Sequence, residues 1–328
     1  MINAGLTMLR ALNILGEQTA NPVLAKAVDT VRGDVETGAS LSQALSRHPK
    51  IFSKLFVSMV RAGETAGVLD QVLQQLAVTL ERQAALRTKV RSAAAYPVAV
   101  MFLVSGIATA MLIFVVPMFK SMYKQVGGKL PAPTLMLITI SHIFSSYFPF
   151  VVAAIAGAWF GGRRILKTPG GRMAWDRLKL RVPILGRVVH RTALSRFAHT
   201  LSVLLRSGVP ILESLEITSD TVNNAVLAEA IKDAQNGVRG GDTVSRPLAN
   251  HPSFPAMVTQ MMAVGEETGA LDEMLEKVGT FYDQEIESLV DGLTSLIEPL
   301  LIVVMGAMVG GMVICLYLPM FSIINQIK

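Results

Sequence analysis

Apolar residues recur at helical spacing along most of the chain. Leu24, Ala27, Val28, Val31 and Val35 form one stripe, and Leu227, Ala230, Ile231, Ala234 and Val238 repeat it. A second stripe, Leu69, Val72, Leu73, Leu76 and Leu80, is echoed by Leu271, Met274, Leu275, Val278 and Tyr282. Such stripes predict the core faces of helical bundles. No alternating, strand-like pattern of comparable length occurs. In three windows the polar positions drop out. Residues 97–119 are almost wholly apolar, and no Asp, Glu, Lys or Arg lies between Lys129 and Arg163 or between Glu298 and Lys328. Each window is long enough for a membrane span of about 20 residues. Pro131, Pro133, Ser145, Ser146 and Pro149 break the middle one, which predicts a short interfacial helix over 134–144 and then one span.

The pattern is written twice. "AGLTMLRAL" at 4–12 returns as "SGVPILESL" at 207–215, "GASLSQALSRHP" at 38–49 as "GDTVSRPLANHP" at 241–252, and "AGETAGVLDQVL" at 62–73 as "VGEETGALDEML" at 264–275. Downstream, "YPVAV" and "VPMF" return as "EPLLI" and "LPMF". One unit of helices plus a span therefore occurs twice. The third pair reads as a helix corner. Gly63 and Gly265 are expected to end a helix in the left-handed conformation, with Gly67 and Gly269 as a second tight position. Glu64 and Glu266 are expected at the start of the next helix, where free N–H groups favour negative charge, and Asp70 and Asp272 complete the candidate corner. The residue types fit a plain turn, a partner-contact surface, or a cation site.

Composition agrees with a membrane protein: 51% of residues are hydrophobic and mean hydropathy is +0.48. The net charge of +6 does not imply nucleic acid, because the bases cluster beside the spans. Arg82, Arg87, Lys89 and Arg91 precede the first span, and Arg163, Arg164, Lys167 and Arg172 follow the second. These flanks belong in the cytoplasm. The middle span returns the chain, so both repeats face the same side, unlike the inverted repeats of many transporters. The expected order is a cytoplasmic helical bundle (1–95), a span (96–119), and a periplasmic loop with its interfacial helix (120–146). A second span (147–163), a second cytoplasmic bundle (164–297), a third span (298–321) and a periplasmic tail (322–328) follow. The fold class is an all-α integral membrane protein, with two repeated cytoplasmic antiparallel helical bundles and three transmembrane helices.

Candidate chemistry is sparse. "VGGKLP" at 126–131 lacks the spacing of a phosphate loop. The histidines, His48, His142, His190, His199 and His251, have no metal-ligand spacing, and Cys315 is the sole cysteine. No catalytic residue, metal or cofactor is expected. Uncharged span interiors argue against an ion-coupled transporter. Gly306 and Gly310 in the third span, and Ala153, Gly157 and Gly161 in the second, are spaced for close helix packing, within the chain or between copies.

Together, "RVPILGRV" (181–188), "RFAHTLSVLLRSGVPILESL" (196–215), "HPSFPAMVTQMMAVGEETGALDEML" (251–275), "EPLLIVVMGAMVGG" (298–311), "LPMF" and "KLPAPT" resemble the inner-membrane platform proteins of type II secretion systems and type IV pili. The resemblance covers essentially the whole chain. It implies a scaffold without enzymatic activity in the bacterial inner membrane. It also implies contact with a cytoplasmic assembly ATPase, with pilin or pseudopilin and with other inner-membrane assembly proteins, and self-association within membrane lipid. In the second repeat a helix over 191–206 precedes "SGVPILESL", whereas the first repeat starts three residues before "AGLTMLRAL". The first repeat is therefore expected to leave a groove for a second protomer or a partner helix. Residues 168–290 are expected to fold alone, and residues 1–92 poorly.

Overall fold

A computed structural model describes residue 1, residues 5–115, 168–183 and 185–326, and scattered positions between 117 and 164. The expected interfacial helix at 134–144 and span at 147–163 lie almost wholly outside the described residues. Every regular element among the described residues is a helix.

Helices α1 (Met8–Gln18), α2 (Pro22–Glu36), α3 (Leu41–Ser46), α4 (Lys54–Ala66) and α5 (Leu69–Ala110) come first. A π-helical turn, Met111–Val115, continues α5. Then come α6 (Pro169–Arg181), α7 (Leu185–Arg206), α8 (Ile211–Thr221), α9 (Ala225–Arg239), α10 (Ser245–Ala249), α11 (Ala256–Thr268) and α12 (Leu271–Gln326). The order α8 to α12 matches α1 to α5, with 15 residues in both α2 and α9 and 13 in both α4 and α11. The caps match too. Asn21 Oδ1 accepts from the Val23 N–H at 2.9 Å, and Asn224 Oδ1 from the Val226 N–H at 3.0 Å. Each satisfies a donor that the helix start leaves open.

The chain divides into two compact units. The first comprises Met1–Arg87 and Met173–Glu287, and so draws on both segments expected as bundles. Two apolar cores lie within it. One gathers Leu227, Ile231, Leu248, Val258, Met262, Leu275 and Val278 around Leu194, Phe197 and Leu201 of α7. The other gathers Val31, Leu45, Met59, Val60 and Leu76 from the first repeat with Val203 and Leu204 of α7, Val209, and Ile217 of α8. Helix α4 packs on α7 and α8, and Lys54 Nζ meets Asp220 Oδ2 at 2.6 Å. This corrects the expected occupant of the first repeat's groove. The chain's own α7 and α8 enter that core: Val203 lies on the far side of α7 from Leu194 and Leu201, and Leu204 on the face adjoining theirs.

The second unit comprises Thr88–Arg172 and Ser288–Lys328. It contains the later parts of α5 and α12. Both helices are long and apolar enough to cross a membrane, over Leu69–Ala110 and Leu271–Gly311. Their apolar side chains stand open: Phe102 is 83% exposed and Val303 66%. An apolar surface of that kind suits lipid rather than water. Pro97 lies inside α5, a position that membrane helices tolerate better than soluble ones.

Candidate functional site

The two corners have the same construction. Helix α4 ends on Gly67 at φ 72°, and α11 on Gly269 at φ 71°, both left-handed. The Val68 N–H donates to the Gly63 carbonyl at 3.0 Å, and the Ala270 N–H to the Gly265 carbonyl at 2.9 Å. These bonds close each helix in a Schellman motif. The glycine roles expected from the sequence are therefore exchanged. Gly67 and Gly269 end the helices, while Gly63 and Gly265 lie inside them, buried. A Cβ at Gly63 would sit 3.0 Å from Val72 Cγ2, and one at Gly265 would sit 2.8 Å from Leu271 Cα. Glycine is required there because the next helix crosses at contact distance.

The glutamates also move. Glu64 and Glu266 lie in the last turns of α4 and α11, not at the starts of α5 and α12. Each carboxylate reaches back to an earlier helix start. Glu64 accepts from the Leu41 N–H and, at 3.1 Å, from the Ser42 N–H. Glu266 accepts from the Val244 and Ser245 N–H groups, the latter at 3.2 Å, and from Ser245 Oγ. The expected pairing of negative charge with free helical N–H groups holds, but with α3 and α10 as the helices served. A groove of about 380 Å³ beside the first corner is lined by Ser40, Ser42, Gln43, Ser46, Arg61, Glu64 and Thr65. Asp70 stays exposed in the first turn of α5. Asp272 instead receives Arg206 Nε at 3.3 Å.

That last pair opens a polar seam that the sequence reading missed. On α7, Ser195, His199, Ser202 and Arg206 fall on one face. On α12, Asp272, Glu276, Gly279 and Asp283 do the same. The helices run antiparallel, so the stripes meet. Ser195 Oγ donates to Asp283 Oδ1 at 2.5 Å, and His199 Nε2 lies 2.9 Å from Asp283 Oδ2. Ser202 Oγ donates to the Asp272 carbonyl at 2.7 Å. Arg206 Nη1 lies 3.5 Å from Glu276 Oε2, and Arg82 Nη1 of α5 lies 2.8 Å from Glu276 Oε1. The His199 ring lies over Gly279, where a Cβ would come within 2.6 Å of Cε1. The spacing of these residues, i, i+4, i+7 and i+11 on both helices, was the available signal.

Burial opposes ionisation of Asp283, but hydrogen bonds from His199 and Ser195 and the nearby positive charge bring its carboxyl below the usual range. Glu276 behaves alike: burial raises it, and Arg82, His199 and Arg206 together outweigh that. The seam ties helices together and does not activate a nucleophile. Ser195 and His199 bind opposite oxygens of one carboxylate, whereas a catalytic triad needs the histidine between serine and acid.

No group of His, Cys, Asp and Glu able to hold a metal occurs among the described residues. Among those residues, nothing beyond the chain neighbours and the local helix backbone lies within 4 Å of a Cβ placed at Gly157, Gly161, Gly306 or Gly310. Ala153 lies outside them.

The chain matches the family described as type II secretion system (T2SS), protein F, over residues 1–117 and 197–319. It is 45% identical over 330 residues to the type IV pilus assembly protein PilC of Thermus thermophilus, covering 100% of this chain and 81% of that one. The protein of the same name from Myxococcus xanthus is 39% identical over 328 residues, covering 100% and 79%. The type II secretion system protein F of Aeromonas hydrophila is 35% identical over 328 residues, covering 100% and 84%.

Proposed function

The chain belongs to the type II secretion system protein F family, and on that premise we propose that it is the non-enzymatic inner-membrane platform of a type IV pilus or type II secretion machine. The full-length likeness to proteins named for both machines carries this reading. Two exposed apolar helices support it, as do basic flanks at 82–91 and 163–172. Three spans hold the protein, and two repeated helical bundles lie in the cytoplasm. There they couple an assembly ATPase to pilin or pseudopilin insertion or extraction, alongside other inner-membrane components and further copies of the chain. The corners, Gly63–Asp70 and Gly265–Asp272, are the surfaces we assign to partner contact, with the groove at Ser40, Arg61 and Thr65 as its centre.

The test is co-purification of the detergent-solubilised chain with the assembly ATPase of its own machine. Retention that survives washing is expected. If deletion of the gene left piliation and secretion intact, the platform role would be lost. A transporter or channel would need polar groups inside its spans, and the apolar windows hold few.

A further inference from the structure

Helix α6 and the turn after it carry an apolar face that the described structure leaves open, with only Lys179 Nζ standing over the Trp175 ring at 5.7 Å. Trp175 is 45% exposed, Leu178 55%, Val182 40% and Leu185 60%. The opposite face is anchored. Asp176 is buried, accepts from the Ala225 N–H at the start of α9 at 2.9 Å, and holds Lys179 Nζ at 2.9 Å. That anchor fixes which side of α6 looks outward. The apolar stripe is bordered by Arg172, Arg177, Arg181 and Arg187, all exposed, and none makes an ion pair among the described residues. Between Arg163 and Arg191 the only acid is Asp176, and it is already neutralised. The outward charge is wholly positive.

Position decides the occupant. The uncharged window ends at Arg163 and α6 begins at Pro169. Even a fully extended connection reaches only about 20 Å. A helix with a tryptophan and leucines outward, arginines at both margins and a membrane span directly before it has the build of an interfacial helix. Basic residues at that level are attracted to anionic headgroups.

We propose that α6 and residues 182–187 lie on the cytoplasmic surface of the bilayer, with Trp175, Leu178, Val182 and Leu185 among the lipids and Arg172, Arg177, Arg181 and Arg187 on anionic phosphates. This rests on the membrane-platform reading above. The full chain carrying Trp159→Phe, which leaves Trp175 as the one tryptophan, is reconstituted into phosphatidylcholine vesicles with and without phosphatidylglycerol. With phosphatidylglycerol present, Trp175 emission should shift to the blue. It should be lost to lipids brominated near the headgroup, and escape acrylamide. Replacing the four arginines by Gln should bring all three readings back to those in phosphatidylcholine alone. High salt should do the same to the unaltered arginines. Protection from acrylamide without quenching by brominated lipid would mean that protein covers this face, and full access to acrylamide would mean that nothing does; either overturns the proposal. Flotation of the vesicles after an alkaline wash reads insertion separately. Failure there sinks the membrane reading itself, while dry flotation with a water-exposed Trp175 sinks this proposal alone.

Discussion

A methyl group at position 265 has nowhere to go, because the Leu271 backbone passes 2.8 Å from where it would stand. Gly265→Ala should cost about 1–3 kcal/mol through overpacking, read as a lower Tm in detergent. Gly63→Ala meets the Val72 side chain first and should cost less. The glutamates beside them divide two readings of the corner. If Glu64 and Glu266 serve only the N–H groups of α3 and α10, alanine at either leaves those donors unpaired, at about 1–3 kcal/mol each. Piliation or secretion should then fall in step with Tm. Lost function at unchanged Tm would mark a contact surface. The sequence showed which residues repeat, and it showed that acid meets free helical N–H. It could not assign the glycines, because Gly63 answers to a helix crossing and not to its own backbone. Asp283 and Glu276 titrate below the ordinary carboxylate range in the fold. Their contribution is therefore complete above the unfolded value of about 4, and is lost as pH falls through the lower folded value. Tm should hold steady from about pH 7 to 5 and drop below pH 4. Asp283→Asn should flatten that drop.

At the scale of elements, α7 is shared. Phe197 and Leu201 serve one core, Val203 and Leu204 the other. Leu204→Ala should cost about 2–5 kcal/mol, and the loss should appear in the first repeat. Residues 1–92 expressed alone lack Val203, Leu204, Val209 and Ile217, and should show weak, uncooperative helical signal by circular dichroism. Adding residues 168–290 should restore a cooperative transition and a single complex on gel filtration. A 1–92 fragment that melts cooperatively by itself would show those four side chains to be dispensable. The stripes were legible from apolar period, and the repeat and the paired corner from residue strings that recur. The sharing was not, because period assigns a face to a helix but does not reveal that one helix has two core faces. The polar seam was written at the same spacing, and went unread because isolated Ser, His and Arg on a long helix look like a solvated surface.

For the whole molecule, topology is the prediction that matters. In a Cys315→Ser background, single cysteines at the exposed Ser46 and Thr268 should resist impermeant thiol reagents in intact cells and react once the cells are opened, and one at Ser121 should react in intact cells. Labelling of intact cells at Thr268 with none at Ser121 would invert the arrangement. Because Leu204 and Ile217 complete a core that begins at Leu12, the order of synthesis acquires a cost. At about 5–20 residues per second on the ribosome, several seconds or more separate Leu76 from Ile217. Through that interval the nascent first repeat holds an unfinished apolar interior, which on the proposed topology coincides with entry of the uncharged windows behind it into the bilayer. Slowing translation beyond Arg163 should therefore lengthen the time in which protease or misassembly can claim that unfinished core.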